Sequence, residues 1–390
     1  MTRVDFTDAD EHVALRAAVA AVTAPFGGAY FAEHAERREP TTELWRALAK
    51  QGFIGINLPE RFGGGGAGLA ELTVVCEETA AQGCPLLLLL VSSAISGEIL
   101  SRYGTPAQQE AWLPPLAAGD SKIVFAITEP DAGSNTHRLS TTATRDGDDW
   151  IISGTKYYIS GVDEADAILV VARTGADQAS GHARLSLFLI PTSAPGLARQ
   201  PLPVAAPLPE RQFTLFFDRV KVPADALIGQ EGDGFTQVFH GLNPERITGA
   251  ALCVGIGRYA LEKAAAYART RAVWGPPIGT HQGVAHPLAQ AKIEVELAAL
   301  MTAKAAWYCD HDGDSPLAGE TANMAKYAAA EATLAALDQS IQTHGGNGLA
   351  TEYGLVPLWG IARLLRIAPV NREMVLNYVA QHSLNLPRSY

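Results

Sequence analysis

Apolar residues recur at helical spacing through the first part of the chain, and this pattern predicts a series of helices. The expected helices are residues 8 to 22, TTELWRALAKQG from residue 41, LAELTVVCEETAAQG from residue 69, a buried helix from about residue 86, and TPAQQEAWLPPLAAG from residue 105. We therefore expect an N-terminal helical domain over residues 1–122.

After Lys122 the pattern changes to short runs rich in β-branched and aromatic residues, broken by glycine, proline and aspartate. The runs are IVFAIT, DWIISGTKYYIS, AILVVART, ARLSLFLIP and RQFTLFFDRVKVP. Such runs are typical of a small β-barrel or sandwich. They predict a central β domain over residues 123–235.

From Phe235 onward, long alanine-rich segments alternate with short breaks at GPPIGTHQG, GDSPLAG and HGGNG. This alternation predicts an antiparallel four-helix bundle over residues 236–390. The predicted fold class is thus mainly α with a central β domain.

The stretch LNPERITGAALCVGIG places one Glu-Arg pair ahead of an uncharged helical run. Asn243 can cap the helix and Pro244 suits its first position, so Glu245 can be an ordinary carboxylate at the positive end of the helix dipole. Alternatively, Glu245 is a buried base, because its face of the helix is small and apolar. That face carries Thr248, Gly249, Leu252 and Ile256. Burial would raise the carboxylate pKa and the helix N-terminus would lower it.

Composition narrows the range of partners. The 390 residues include 30 basic and 41 acidic side chains, for a net charge of −11, with no basic stripe for nucleic acid or an anionic membrane. Four cysteines lack the spacing of a disulfide framework or a zinc site, which fits a reducing cytoplasm and no bound metal. The longest apolar run, PLLLLLV, is too short to span a bilayer, and the N-terminus has no apolar signal core. We expect a soluble, cytoplasmic protein.

Two glycine patterns imitate a dinucleotide fingerprint. GGGGAG at 63–68 follows LPERF rather than an apolar strand, and GIGRYA at 255–260 lies within a predicted helix, where close packing explains its glycines. A Rossmann domain is not expected. GxSxG and HExxH motifs are absent from the sequence, so hydrolase and metalloenzyme functions lack support.

The central region carries the most specific motif, FAITEPDAGSNTHRLSTTATRDGDDWIISGTKYYISG at 125–161. It joins a strand ending at Thr128, a turn at Gly133 and Ser134, and the triplet 158–160. Hydroxyls and turn donors there can hold a polar planar ring while an aromatic side chain packs on it. The stretch resembles the TEPxAGS and WITNG-like segments of the acyl-CoA dehydrogenase family.

The resemblance covers essentially the whole chain. DRVKVPADALIGQEGDGF at 218–235, ARTRAVWGPPIGTHQ at 268–282 and IQTHGGNGLATEYG at 341–354 are similar to further family motifs. It implies an FAD site at Phe125, Ile127, Thr128, Gly133, Ser134, Tyr158, Ile159 and Ser160. It also implies that Arg271, Trp274 and Gln282 of one subunit and Gln342, Gly345 and Gly346 of a neighbour meet the rest of the cofactor, with Asn371 and Glu373 nearby. Without the resemblance, Arg271 is an ordinary surface arginine and GGNG an ordinary helix break.

The sequence departs from the family where most members carry their catalytic glutamate, because Pro369 occupies that position. A minority of the family places the base at the Glu of a Glu-Arg pair after the β domain, and Glu245 matches it. The resemblance further implies substrate contacts from Ser134, Asn243 and Arg246. Proline has no N–H to polarise the thioester carbonyl, so either Val370 supplies this donor or the loop is arranged differently.

The implied function is dehydrogenation of an acyl-CoA thioester to a trans-2-enoyl-CoA, with Glu245 removing the α-proton and a hydride passing to flavin N5. The implied partners are an electron-transferring flavoprotein and further copies of the chain, in a homotetramer or a dimer. The sequence also allows two alternatives. One is a flavin monooxygenase or oxidase on the same fold, and the other is a non-catalytic protein that binds FAD or acyl-CoA.

Overall fold

Helices precede and follow a central β-sheet along the chain. The computed structural model describes residues 10–176 and 181–388. The predicted helix over residues 8 to 22 is present from residue 10, and its first two residues lie outside the described part. The helices before the sheet are α1 (Asp10–Thr23), α2 (Gly27–Arg37), α3 (Thr42–Lys50), α4 (Leu69–Ala81), a π-helical segment (Leu89–Gly97), α5 (Glu98–Tyr103) and α6 (Pro106–Ala117).

The sequence pattern missed α2 and the π-helical geometry. Helix α2 opens with two glycines, which are poor helix formers, and its exposed face is polar. The π-helical segment carries buried hydroxyls among its apolar residues, including Ser92 and Ser93. Ser92 Oγ accepts from the Ile123 N–H at 3.0 Å, and Ser93 Oγ donates to the Ile54 carbonyl at 2.8 Å. The segment is therefore fixed to the first strand and to the turn that follows α3.

The predicted strands are confirmed, and they belong to one twisted arrangement of paired strands. The strands are β1 (Ile123–Ala126), β2 (Thr142–Asp146), β3 (Asp149–Ser160), β4 (Ala167–Ala176), β5 (Ala183–Pro191), β6 (Leu197–Pro201), β7 (Gln212–Val222) and β8 (Leu227–Ile228). The order is β6-β7-β3-β2-β4-β5-β8, and β1 pairs in parallel with β4. Strands β2, β6 and β8 were not predicted because each is short, and β2 and β6 are also mostly exposed and polar.

Long helices form the C-terminal part of the chain. They are α7 (Gly234–Thr270), α8 (Gln282–Asp312), α9 (Pro316–His344), α10 (Leu355–Ile367) and α11 (Arg372–Tyr378). Helices α7, α8 and α9 pack against one another, and α4 packs on α7. Alanine and glycine fill these contacts, which lets the helix axes approach closely.

The predicted start of α7 is wrong. Asn243 does not cap this helix and Pro244 is not its first residue, because α7 already begins at Gly234. The preceding turns are stabilised by packing, since a Cβ on Gly241 would lie 2.8 Å from side-chain atoms of both Ile95 and Ile99. This tertiary contact outweighs the local signal of an Asn-Pro pair.

Close packing explains the glycines of the second false fingerprint, as expected, and it also explains Gly64 in the first. A Cβ on Gly255 would lie 2.2 Å from the Glu77 carbonyl oxygen, where α7 crosses α4. A Cβ on Gly64 would lie 2.1 Å from the Leu58 carbonyl oxygen. The domain limits at residues 122 and 235 stay predictions.

Among the described residues, no single helix is both long and apolar enough to cross a membrane. Helices α1 and α2 meet that test only when taken together, and they are bent by 58° relative to each other.

Candidate active site

A bulge in β3 presents an aromatic ring at the surface of the β domain. The pairing of β3 with β7 shifts between Lys156 and Ile159, and Tyr158 in this bulge has a φ of 58°. A positive φ is unfavourable for a bulky residue, and bulges commonly redirect a side chain next to a functional site. The Tyr158 side chain is largely exposed, at 54%. The ring is therefore free to pack against a ligand.

The bulge is tied to the end of the first strand. The Tyr157 N–H donates to the Thr128 carbonyl at 2.8 Å, so the segment after β1 and the aromatic bulge form one edge. Ile127 and Thr128 are both half-buried there. The structure thus brings together two of the predicted flavin-binding segments.

A buried ion pair supports this edge from behind. Lys156 Nζ lies 2.9 Å from the Glu129 carboxylate and also donates to the Ile127 carbonyl at 2.9 Å. The Glu129 carboxylate accepts further bonds from the backbone N–H groups of Ser140 and Thr141. Burial opposes ionisation of Glu129, but Lys156 and these donors outweigh it and hold its pKa well below the usual range.

Two further polar contacts involve predicted ligand-binding residues. Asn371 Nδ2 donates to Ser134 Oγ at 2.8 Å, which joins the turn of the β domain to the start of α11. Gln212 at the start of β7 hydrogen-bonds to the Ser160 hydroxyl, with its Nε2 at 2.9 Å. A Cβ on Gly133 would meet no atom within 4 Å, so the turn beside Ser134 opens onto free space.

Glu245 lies about three turns into α7 rather than at its end. The helix dipole acts mainly within the first turn, so the predicted lowering of its pKa by a helix N-terminus is wrong. Burial instead raises the pKa of Glu245 to about 7, although Arg246 and Lys326 lower it. The predicted apolar face is confirmed, because Thr248, Gly249, Leu252 and Ile256 are all buried.

Two other parts of the chain surround this face. A Cβ on Gly249, one turn beyond Glu245, would lie 3.6 Å from Leu90 and 3.7 Å from Leu365. Leu90 belongs to the π-helical segment and Leu365 to α10. Glu245 is itself only partly exposed, so its carboxylate is mostly desolvated while a path to it remains.

Arg246 does not form an ion pair that would neutralise Glu245. Its Nη1 donates to Asn243 Oδ1 at 2.8 Å, and its guanidinium lies 5.6 Å from the centre of the Phe239 ring. Arg246 is 9% exposed, and its Nε finds no hydrogen-bond acceptor among the described residues. A buried N–H without an acceptor is costly, so this donor is available to a ligand.

The remaining predicted cofactor residues lie on the surface of the bundle. Arg271 and Trp274 are exposed in a turn that the Ile278 N–H closes onto the Arg271 carbonyl at 2.7 Å, and Trp274 is 85% exposed. Gln282, Gln342, Gly345, Gly346 and Glu373 are exposed as well.

The residues present suit a flavin. An exposed aromatic ring, a partly exposed serine hydroxyl and an open glycine-serine turn lie on one edge of the sheet, and a mostly buried carboxylate lies on a helix that packs against the same π-helical segment as β1. Helices that precede and follow a central sheet, together with these features, fit the class of flavin-dependent dehydrogenases.

Known proteins resemble this chain over essentially its whole length. Models of the N-terminal, middle and C-terminal domains of acyl-CoA dehydrogenases match residues 9–120, 124–220 and 232–384. The chain is 56% identical to acyl-CoA dehydrogenase FadE12 of Mycobacterium tuberculosis over 390 residues, which is 100% of both chains. It is 33% identical to the mitochondrial short-chain specific acyl-CoA dehydrogenase of Bos taurus, covering 91% of this chain and 85% of that one.

Solved structures show the same fold. A glutaryl-coenzyme A dehydrogenase in complex with glutaryl-CoA superposes with a TM-score of 0.92 at 30% identity, covering 99% of this chain and 98% of that one. A glutaryl-CoA dehydrogenase from Mycobacterium smegmatis in complex with FADH2 superposes with a TM-score of 0.89 at 26% identity, covering 98% of this chain and 96% of that one. The chain belongs to the acyl-CoA dehydrogenase family. It is an oxidoreductase of the acyl-CoA dehydrogenase type, and its cofactor is FAD.

Proposed function

We propose that the protein removes two hydrogens from the α and β carbons of an acyl-CoA thioester, giving the trans-2-enoyl-CoA, and that Glu245 is the base. The observation that carries this proposal is the setting of Glu245, a mostly buried carboxylate without a hydrogen-bonded cation. Its pKa of about 7 suits a group that must accept a proton near neutral pH.

Other carboxylates in this region are less suited to the role. Glu331 is bound by Arg366, with 2.6 Å between Nε and Oε1, so its carboxylate is already engaged by a cation. Glu373 is exposed on α11. Pro369, at the place where most of the family carries its base, has no proton-accepting side chain. These facts favour Glu245.

The neighbouring residues have complementary tasks. Arg246 and Asn243, which are hydrogen-bonded to each other, hold the acyl or pantetheine part of the substrate, and the free Nε of Arg246 is a donor for it. Ser134 contributes from the opposite side, where Asn371 fixes its hydroxyl. The apolar walls around Glu245 exclude water and keep its pKa high. Bound FAD supplies the hydride acceptor in this reaction.

The family resemblance implies the FAD contacts, and the exposed edge at Tyr158 supports them. Phe125, Ile127, Thr128, Gly133, Ser134, Tyr158, Ile159 and Ser160 would hold the ring system along the edge described above. Arg271, Trp274 and Gln282 of one protomer would meet Gln342, Gly345 and Gly346 of another across the remainder, with Asn371 and Glu373 close by. Exposure of the second group in a single chain supports this arrangement, because a subunit interface would cover it.

A face of α8 supports assembly into a homotetramer. Ile293, Leu297, Leu300 and Trp307 are between 48% and 61% exposed and recur at helical spacing. Such an apolar stripe is expected to be covered by another chain. The reduced enzyme would pass its electrons to an electron-transferring flavoprotein.

Anaerobic mixing of the purified flavoprotein with a panel of acyl-CoAs tests the activity. We expect at least one thioester to bleach the flavin absorbance and to be recovered as its trans-2-enoyl-CoA. Reduced flavin should then reoxidise slowly in air and rapidly with an electron-transferring flavoprotein. Bleaching by no thioester would contradict the proposal, and rapid reoxidation by oxygen would favour an oxidase or monooxygenase instead.

A further inference from the structure

Lys326 is a buried lysine of α9 that the proposed reaction leaves without a role. It is 3% exposed, and burial lowers its pKa to about 8, so it still carries a positive charge at neutral pH. Its ammonium donates to two backbone carbonyls, Arg366 O at 2.9 Å and Val370 O at 2.5 Å. Burying a charged group is costly, and backbone carbonyls alone repay this cost only in part.

These two carbonyls bracket the loop between α10 and α11. The loop contains Pro369, at the position that holds the base in most of the family. Its two ends are fixed separately, because Arg366 pairs with Glu331 and Asn371 donates to Ser134. Lys326 spans the middle of the loop and fixes the path of its backbone. This loop leads directly into the Asn371–Ser134 contact of the site.

Lys326 also acts on Glu245. Its charge lowers the pKa of Glu245, and Glu245 in turn raises that of Lys326. The other charge that bears on Glu245 is Arg246 of its own helix, and Tyr378 of α11 interacts with Arg246. Cys253 and Arg246 of α7 and Glu331 of α9 also interact with Lys326. Lys326 is thus the charged group from a second helix that is coupled to the proposed base.

We propose that Lys326 is a positioning residue of the reaction: it holds the end of α10 and the loop after it, residues 366–370, in place beside the site and supplies the cationic charge that balances Glu245 as a carboxylate. This inference rests on the proposed role of Glu245 as the base. It adds that one ammonium group couples the charge of the base to the shape of the loop, in a family member whose loop carries no base of its own.

The test compares two substitutions with a matched control. Lys326→Met removes the charge and both hydrogen bonds, and Lys326→Gln removes the charge but keeps a donor. The control is Lys263→Met on α7, because Lys263 is also partly buried and donates to a backbone carbonyl, that of Tyr353 at 2.8 Å. Lys263 lies about 27 Å along the helix from Glu245, too far to act on it strongly.

Each holoenzyme is assayed for FAD content, melting temperature and the pH profile of flavin reduction by one acyl-CoA in a single turnover. In both Lys326 variants we expect the acidic limb of the profile to move to higher pH, because Glu245 loses a neighbouring cation. Lys326→Met should in addition weaken substrate binding more than Lys326→Gln does. In Lys263→Met, the acidic limb of the profile should lie at the same pH as in the unmodified enzyme.

The outcomes distinguish this inference from the one on which it rests. If Glu245→Gln abolishes rapid reduction while both Lys326 variants keep the normal acidic limb, Glu245 is the base and Lys326 has no positioning role. If Glu245→Gln itself stays active, the proposed base is wrong. If neither Lys326 variant can be obtained as folded holoenzyme while the control can, Lys326 is a structural residue only, and the inference is overturned.

Discussion

At the scale of single residues, burial and charge decide which groups can do chemistry. Glu129 and Glu245 are both carboxylates in an apolar setting, yet they are shifted in opposite directions. Glu129 has Lys156 in direct contact and several donors, so it stays ionised and supports the backbone. Glu245 has its cations only at longer range, so desolvation dominates and its proton affinity rises. Glu129 is therefore suited to a structural role, and Glu245 is suited to the role of a base.

Arg271 provides a prediction for cofactor binding. Arg271→Ala should raise the dissociation constant for FAD by about tenfold or more, because a charge-assisted hydrogen bond to phosphate contributes roughly 1.5 to 3 kcal/mol. Arg269→Ala is the matched control, since Arg269 is an exposed arginine in the last turn of α7, two residues before Arg271. The measurement is flavin release on dilution. Equal retention in both variants would remove Arg271 from the site.

Sequence patterns identified the proposed ligand-binding residues better than the residues that support them. Thr128, Ser134 and Tyr158 stand in a motif, so resemblance finds them. Lys156 and Lys326 donate to backbone carbonyls of segments far away in the sequence, and no local sequence pattern predicts such contacts. The positive φ of Tyr158 likewise depends on the pairing of β3 with β7 and was not predictable from its own neighbours.

At the scale of elements, local signals and packing disagree most at α7. An asparagine followed by a proline is a frequent helix start, yet the helix begins nine residues before Asn243, because Gly241 and its neighbours pack against the π-helical segment. Pro244 inside the helix removes one backbone hydrogen bond. The consequence is functional, since Glu245 is placed in the packed interior of the helix rather than at a dipole-stabilised end.

The start of α11 is a second element where structure and site meet. Asn371 Oδ1 accepts from the Met374 N–H at 2.9 Å and caps the helix, while its Nδ2 donates to Ser134. Asn371→Ala should lose the cap and cost about 1 kcal/mol of stability. Asn371→Asp keeps the cap but loses the donor, so it should keep the melting temperature and weaken FAD or acyl-CoA binding.

Thermal melting and ligand titration of the two Asn371 variants separate these effects. Unchanged FAD and acyl-CoA binding in Asn371→Asp would show that the bond to Ser134 is structural. Comparable destabilisation in both variants would show that the cap is not what Asn371 contributes.

At the scale of the whole molecule, one chain presents half of the proposed cofactor site on its surface. Trp274 at 85% exposure and Leu349 at 70% lie in the two segments that the family resemblance assigns to different subunits. In the proposed assembly, another subunit would cover both side chains. Retention of the flavin should therefore depend on assembly of the subunits.

This link gives a prediction for the stripe on α8. Leu297→Glu puts a charge on the apolar face and should shift the assembly to smaller species, with loss of FAD on dilution. Val13→Glu is the control, because Val13 is a similarly exposed apolar residue on α1. Sedimentation velocity with detection at the flavin absorbance reports both quantities. An intact assembly in Leu297→Glu would exclude this face from the interface.

The most direct test of the account is rapid-mixing flavin reduction in Glu245→Gln. Glutamine keeps the size of the side chain but cannot accept the α-proton, so reduction by an acyl-CoA should slow by about 10²-fold or more. FAD content should stay near that of the unmodified enzyme, and the melting temperature should not fall, because no ion pair is lost. A variant that still reduces its flavin at close to the normal rate would show that Glu245 is not the base.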